Sequence, residues 1–277
     1  MHSLRREIRL FFTAVMFFTR IPCPAWVDHS EEYLHHSSRY FPLMGWIVGG
    51  AGASVLLVSA FVVPKIIAIL LSVIATVLLT GAFHEDGFAD ACDGFGGGWT
   101  KERILAIMQD SRLGTFGTIG LVGILALKVA CLLVIAESYS TLSACFLMVA
   151  AHAASRFTAV SFLMTHEYAR SEGESKAKPL ATRMTTGEFT TALLTGLLPF
   201  LLLFSTFGGA LILFIFPLLL VKWYLARFFT RWIQGYTGDC LGATQQVAEV
   251  ACYLMFLVMK SENVQELFWR AMEMMGK

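Results

Sequence analysis

The chain has 277 residues, of which 56% are hydrophobic and only 15% charged, and its net charge is +1. A soluble domain carries about a quarter charged residues, so a mean hydropathy of +0.66 excludes an ordinary soluble enzyme. So even a balance of charge provides no basic field for nucleic acid.

Several apolar runs reach the roughly 20 residues needed to cross a bilayer core. The chain therefore reads as an all-α, polytopic membrane protein. At its start, Arg5, Arg6 and Arg9 precede Phe11, Phe12, Phe17 and Phe18, a pattern that predicts a short interfacial helix with a basic flank. Pro22 and Pro24 end it. The apolar stretch Leu10–Phe18 lacks a small-residue cleavage site, which argues against a cleaved signal. His35 and His36 are neighbours that would not face each other on a helix, and they read as surface histidines.

Spans are expected at about 41–63, 66–83, 119–136, 141–164, 189–206 and 208–225, with a short final run to Met259, about seven in one bundle. Gly45, Gly49, Gly50 and Gly52 suit the first span to close helix packing. Thr100 is placed to cap a helix over about 101–109 that lies along the membrane surface. A polar loop over 166–188 carries Arg170, Lys176, Lys178 and Arg183, and the tail with Phe268, Trp269, Arg270 and Met272 reads as interfacial. No repeat or boundary divides residues 1–277, which read as a single integral-membrane domain. The six cysteines form no C-x-x-C pair, which argues against disulfides and zinc.

Lys and Arg concentrate at the N-terminus, at Lys101, Arg103 and Arg112, in the 166–188 loop and at 222–235, whereas Lys65 alone marks the opposite turns. The positive-inside rule then places all four basic regions in the cytoplasm. The expected location is a bacterial inner membrane, with the polar motifs facing the cytoplasm.

The stretch from Phe83 to Gly117 holds Glu85, Asp86, Asp90, Asp93, Glu102 and Asp110, six of only 20 acids. Asp86, Asp90 and Asp93 stand at i, i+4 and i+7, on one face of a helix. Like charges so placed repel; a hard divalent cation such as Mg²⁺, held with substrate phosphates, would account for them. A second compact motif, Gly235 to Glu249, contains Asp239. It reads either as a fourth carboxylate of the same site or as a helix N-terminal residue. Lys128 and Arg156 fall at membrane depth, where an ionisable group is by default functional. Arg156 suits phosphate, and Lys128 is either a phosphate binder or a structural counter-ion.

The residues resemble the cobalamin synthase family (adenosylcobinamide-GDP ribazoletransferase, cobalamin 5′-phosphate synthase). The family's G-x-F-H-x-D-G-x-x-D-x-x-D-G motif is matched by Gly81 to Gly94, its I-M-x-D-S-R-x-G-x-x-G block by Ile107 to Gly117, its T-G-D-x-L-G-A block by Thr237 to Ala243, and its F-x-T-R-[IL]-P-x-P by Phe18 to Pro24. Glu85 stands where the family usually has a hydrophobic residue, and reads as an added metal ligand or a solvated acid. Asp110 belongs to the second block.

The resemblance implies a Mg²⁺-dependent transferase of cobalamin biosynthesis. Its substrates would be adenosylcobinamide-GDP and α-ribazole or α-ribazole 5′-phosphate, and GMP would leave. Asp86, Asp90, Asp93 and Asp239 are then the metal candidates, with Arg112, Lys128 and Arg156 on phosphate oxygens. His84 is a candidate to orient or deprotonate the nucleophile. On a continuous helix, however, it would point about 160° away from Asp86, so it either precedes the helix or has a structural role. Whether copies associate as a homo-oligomer is left open.

Three rivals are weighed. A CDP-alcohol phosphotransferase would need an Ala-Arg that is absent after Asp90-x-x-Asp93-Gly94. A prenyltransferase would need a second motif like the first. A transporter would carry inverted repeats.

Overall fold

The computed structural model describes residues 2–27, 30–169, 183–262 and 264. Arg170, Lys176, Lys178 and the aromatic tail lie outside the described residues. Among the described residues the chain is helical and no strand forms; one isolated bridge pairs Tyr168 with Tyr236.

The N-terminal helix α1 (His2–Phe18) exposes Leu4 and Ile8 and buries Leu10, Ala14 and Phe18, the two faces of an interfacial helix. The short α2 (Glu31–Ser37) leads into α3 (Phe41–Ser59). Gly45 and Gly49 of α3 lie against α8 (Thr141–Val160) so closely that a Cβ on Gly45 would run into the His152 backbone. Small residues thus let two backbones touch where lipid gives no hydrophobic drive.

Helix α4 (Lys65–Thr80) ends at Gly81 and Ala82, both left-handed at φ 67° and 59°, and α5 (Phe83–Gly97) leaves at 88° to it. Arg20 holds this corner. Its backbone N–H donates to the Leu79 carbonyl at 2.7 Å, and its guanidinium covers Gly81 so tightly that a side chain there would collide with it. The early Thr-Arg-Ile-Pro motif is therefore a brace for the α4–α5 bend. As the sequence predicts, α6 (Lys101–Gln109) is capped by Thr100, whose hydroxyl accepts from Arg103 N–H at 3.3 Å.

After α7 (Thr115–Ser138), α8 and the single turn α9 (Phe162–Thr165), an apolar tract runs from Thr186 to Ile233. It comprises α10 (Thr186–Leu197), a 3₁₀ segment, α11 (Phe204–Phe207), a second 3₁₀ segment and α12 (Ile215–Ile233). The Phe200 and Phe214 rings lie 4.8 Å apart, whereas fourteen residues of straight helix would separate them by about 21 Å. The tract is a hairpin turning at Gly208, φ 53°, and its two arms could each cross. Helix α13 (Gly238–Lys260) closes the bundle.

Five tracts are long and apolar enough to cross a membrane, or six with the bent α4–α5 pair. Counting both arms of the hairpin gives the seven expected from the apolar runs. The last span differs from expectation. The motif from Gly238 onward is the first half of a 23-residue helix, because its Gln245, Gln246 and Glu249 are buried and bonded to other side chains.

Contacts sort the two ends. At one end Arg6 meets Glu32, His36 Nδ1 meets Glu188 at 2.6 Å, Lys101 donates to Gln234 at 3.3 Å and Ala169 N–H donates to the Tyr236 carbonyl at 2.9 Å. His36 is thus not a plain surface histidine. At the other end Lys65 donates to the Ala136 carbonyl at 3.0 Å and Tyr139 to the Lys260 carbonyl at 3.3 Å. In a chain cleared of its native cysteines, Lys101→Cys and Phe61→Cys should react with an impermeant thiol reagent from opposite sides of sealed vesicles. Labelling of both from one side would overturn this arrangement.

Candidate active site

Helix α5 lies across one end of the bundle and has two working faces. Asp86 is exposed and Asp90 half-buried, one turn apart on the outer face. Gly87, between them, packs against α13; a Cβ there would stand 3.1 Å from Asp239 Cα. The two acidic motifs, some 150 residues apart, therefore meet backbone to backbone. Asp239 is not the cap of α13. That role belongs to Thr237, whose hydroxyl accepts from Cys240 N–H at 3.3 Å and donates to Asp239 at 3.2 Å.

Asp93 has a different setting. It is buried, and its two oxygens accept the N–H groups of Gly114, at 2.7 Å, and Gly117, at 2.8 Å. These are otherwise unpaired donors at the start of α7, where a carboxylate also meets the positive end of the helix. A Cβ at either glycine would collide with the Asp93 carboxylate, which explains the glycines of the second motif block. On the loop before them, Arg112 is exposed and holds the Asp110 carboxylate with its Nε, at 3.0 Å, and Nη2, at 2.5 Å. Arg112 is thus the outward-facing cation beside the acidic helix.

The inner face of α5 carries His84 and Glu85. The helix begins at Phe83, so His84 lies within it and turns away from Asp86; it is buried and stacked on Phe41 at 5.5 Å. Glu85 is not solvated. It is buried and accepts from Gln246 Nε2 at 2.9 Å.

Beneath them lies a buried polar cluster that the sequence reading missed in part. Glu249 is fully buried; its Oε1 takes Lys128 Nζ at 3.0 Å, Tyr253 OH at 2.9 Å and His152 Nε2 at 3.4 Å, and its Oε2 takes Gln245 Nε2 at 2.8 Å. Gln246 accepts from Lys128 at 3.0 Å and so ties the cluster to Glu85. Arg156 bonds the ring and carbonyl of His152 and lies over Phe41, 5.7 Å from the ring centroid. Lys128 is therefore the partner of Glu249, and Arg156 is interior. Glu249 sits ten residues, about 15 Å, below Asp239 along α13, near mid-membrane. Its signal was an acid inside an apolar run, the same signal that exposed Lys128. Three atoms of this region, His84 Nε2, Glu85 Oε2 and Arg156 Nε, are buried without a hydrogen-bond partner.

The cobalamin-5-phosphate synthase family model matches residues 10–257. The chain belongs to that family. It is 46% identical over 252 residues to the adenosylcobinamide-GDP ribazoletransferase of Shewanella frigidimarina, covering 91% of this chain and 95% of that one. It is 49% identical over 251 residues to that of Ralstonia nicotianae, covering 90% and 95%. No solved structure matches.

Two outcomes follow from the packing. Glu249→Gln leaves the Lys128 charge buried and unpaired and should cost about 3–5 kcal/mol; Lys128→Met in the same chain should recover most of it, as read by thermal unfolding in detergent. Gly114→Ala should cost about 1–3 kcal/mol by displacing Asp93. Gly123→Ala, with open space around it, should change stability by less than about 0.5 kcal/mol.

Proposed function

We propose that the chain transfers the adenosylcobinamide phosphate group of adenosylcobinamide-GDP to α-ribazole or α-ribazole 5′-phosphate, at the end of the bundle crossed by α5. The observation that carries the site is the packing of Asp239 onto Gly87, which joins both acidic motifs of the family on one surface. The ribazole hydroxyl oxygen forms a bond to the phosphorus that carries cobinamide, its proton is lost, and the bond to GMP breaks. Such displacements rest on positioning and charge neutralisation.

The donor chemistry fits Mg²⁺. Asp86, Asp90 and Asp239 offer only carboxylate oxygens. Among the described residues no three metal-binding side chains converge, so the ion would be held by one or two of these carboxylates, with substrate phosphates and water filling the rest of its shell. When bound there, the ion would neutralise the two phosphates of the donor. Asp93 fixes α7 against α5 and so holds the acidic face in place. Arg112 faces outward and can exchange one oxygen of Asp110 for phosphate, since the guanidinium fork suits both. Lys128 and Arg156, with His84 and Glu85, form the floor under the site.

The cation-rich end of the bundle corresponds to the cytoplasmic face of a bacterial inner membrane, where nucleotide substrates are found. The CDP-alcohol and prenyl readings gain no support from the family match.

Purified protein in vesicles, given adenosylcobinamide-GDP and α-ribazole, should release GMP. Asp90→Asn and Asp239→Asn should each lower turnover by at least about 100-fold, or raise the Mg²⁺ requirement about tenfold, with little change in unfolding temperature. Wild-type Mg²⁺ dependence in both variants would remove the metal from this face. No GMP release by the wild type would remove the reaction.

A further inference from the structure

One feature outside the site is a groove between α12 and the segment after α9. It encloses about 750 Å³ and is lined by Lys222, Trp223, Arg227, Thr230 and Arg231, with His166 from the segment after α9. No acid lines it. Among the described residues no carboxylate pairs with Lys222, Arg227 or Arg231, whereas Arg39, Arg112 and Lys128 each hold one. The Lys222 ammonium is half-buried and donates only to the Ser161 carbonyl, at 3.3 Å. Arg227 is stacked over Trp223, 5.4 Å from the ring centroid, and both line the groove. Burial, and then the Lys222 charge, hold the His166 imidazole below its ordinary range, and the cationic side chains of the groove are Lys222, Arg227 and Arg231.

The position of the groove indicates its occupant. The most apolar window of the Thr186–Ile233 tract is only 11% buried by protein, and on α12 itself Leu219 and Leu220 are exposed. Trp223 and Tyr224 are 57% and 59% exposed, as aromatic residues are at the depth of the headgroups. Arg227 and Arg231 are one turn apart on the end of α12 that leads to the Thr237–Asp239 motif, the cation-rich end. Cations clustered at this depth attract phosphate-bearing headgroups.

We propose that this groove is a binding site for the phosphate headgroup of an anionic phospholipid. Lys222, Arg227 and Arg231 neutralise the phosphate, Thr230 donates a hydrogen bond, and the acyl chains run along the exposed Leu219 and Leu220 side of α12. Because α12 passes directly into the turn that presents Asp239, an occupied groove would also steady that turn. The lipid site itself does not depend on the reaction assigned above.

The test is lipid retention by the whole protein. Protein taken from phosphatidylcholine vesicles doped with phosphatidylglycerol should keep phosphatidylglycerol adducts in native mass spectrometry. Each cation neutralised should weaken retention roughly fivefold. The triple variant Lys222→Gln, Arg227→Gln, Arg231→Gln should therefore lose about a hundredfold, while Lys101→Gln with Arg103→Gln should not. Should the triple variant fail to fold, photoreactive phosphatidylglycerol on the wild type should crosslink within residues 219–231. Equal retention by all variants, or crosslinks elsewhere, would overturn the proposal. Displacement of the lipid by millimolar inorganic phosphate or GMP would overturn it too, since the groove would then be a soluble-phosphate site. GMP release is assayed separately and bears on neither outcome.

Discussion

The carboxylate of Glu249 is the constraint on which the bundle depends. An ionised group at mid-membrane costs at least about 2.5–3.5 kcal/mol, and here it is tolerable because α7, α8 and α13 each bring a partner to it. Lys128 comes from α7, His152 from α8, and Gln245 and Tyr253 from α13 itself. In lipid, where apolar faces have no reason to prefer one another, such bonds specify which helices meet and at what height. Glu85 and Glu249 share this interior with two cationic side chains, Lys128 and Arg156.

Through Gln246 the same cluster reaches Glu85, and with it the position of α5. That helix is held from three directions: by Gln246 from below, by Asp93 clamped on the start of α7, and by Gly87 in contact with α13. Its outer face presents Asp86 and Asp90, and these contacts are made by its other faces. The 88° bend at Gly81–Ala82 lays the acids across the end of the bundle. A straight continuation of α4 would have carried them away from Asp239.

Glycine is used here chiefly for approach. Gly87 and Gly242 bring α5 and α13 to backbone contact, Gly114 and Gly117 admit a carboxylate, and Gly45 and Gly49 join α3 to α8. A site assembled from several helices needs those helices close, and a single added methyl at these positions would separate them. This also explains why the motif blocks of the sequence mix acids with glycines: the acids provide the chemistry and the glycines the distance.

By itself the sequence determined the all-α polytopic fold class, the capped helix over 101–109 and the family, because these rest on composition, run length and short-range spacing. It also marked the acids of α5 and Asp239 as candidates. Only the tertiary structure decided how they are used. Periodicity places Asp93 on the same face as Asp86, but whether that face meets solvent or the start of α7 depends on a helix twenty residues further on. Glu85 has no local feature to distinguish a solvated acid from a buried one; its partner, Gln246, lies 161 residues away. The polar residues of the last span read as a motif before a short helix, because hydropathy counts each polar side chain as a cost and cannot see that Gln245, Gln246 and Glu249 satisfy one another and Lys128. Pairing between distant parts of the chain is a property of the packed bundle, and it converted a run of apparent interruptions into the centre of the fold.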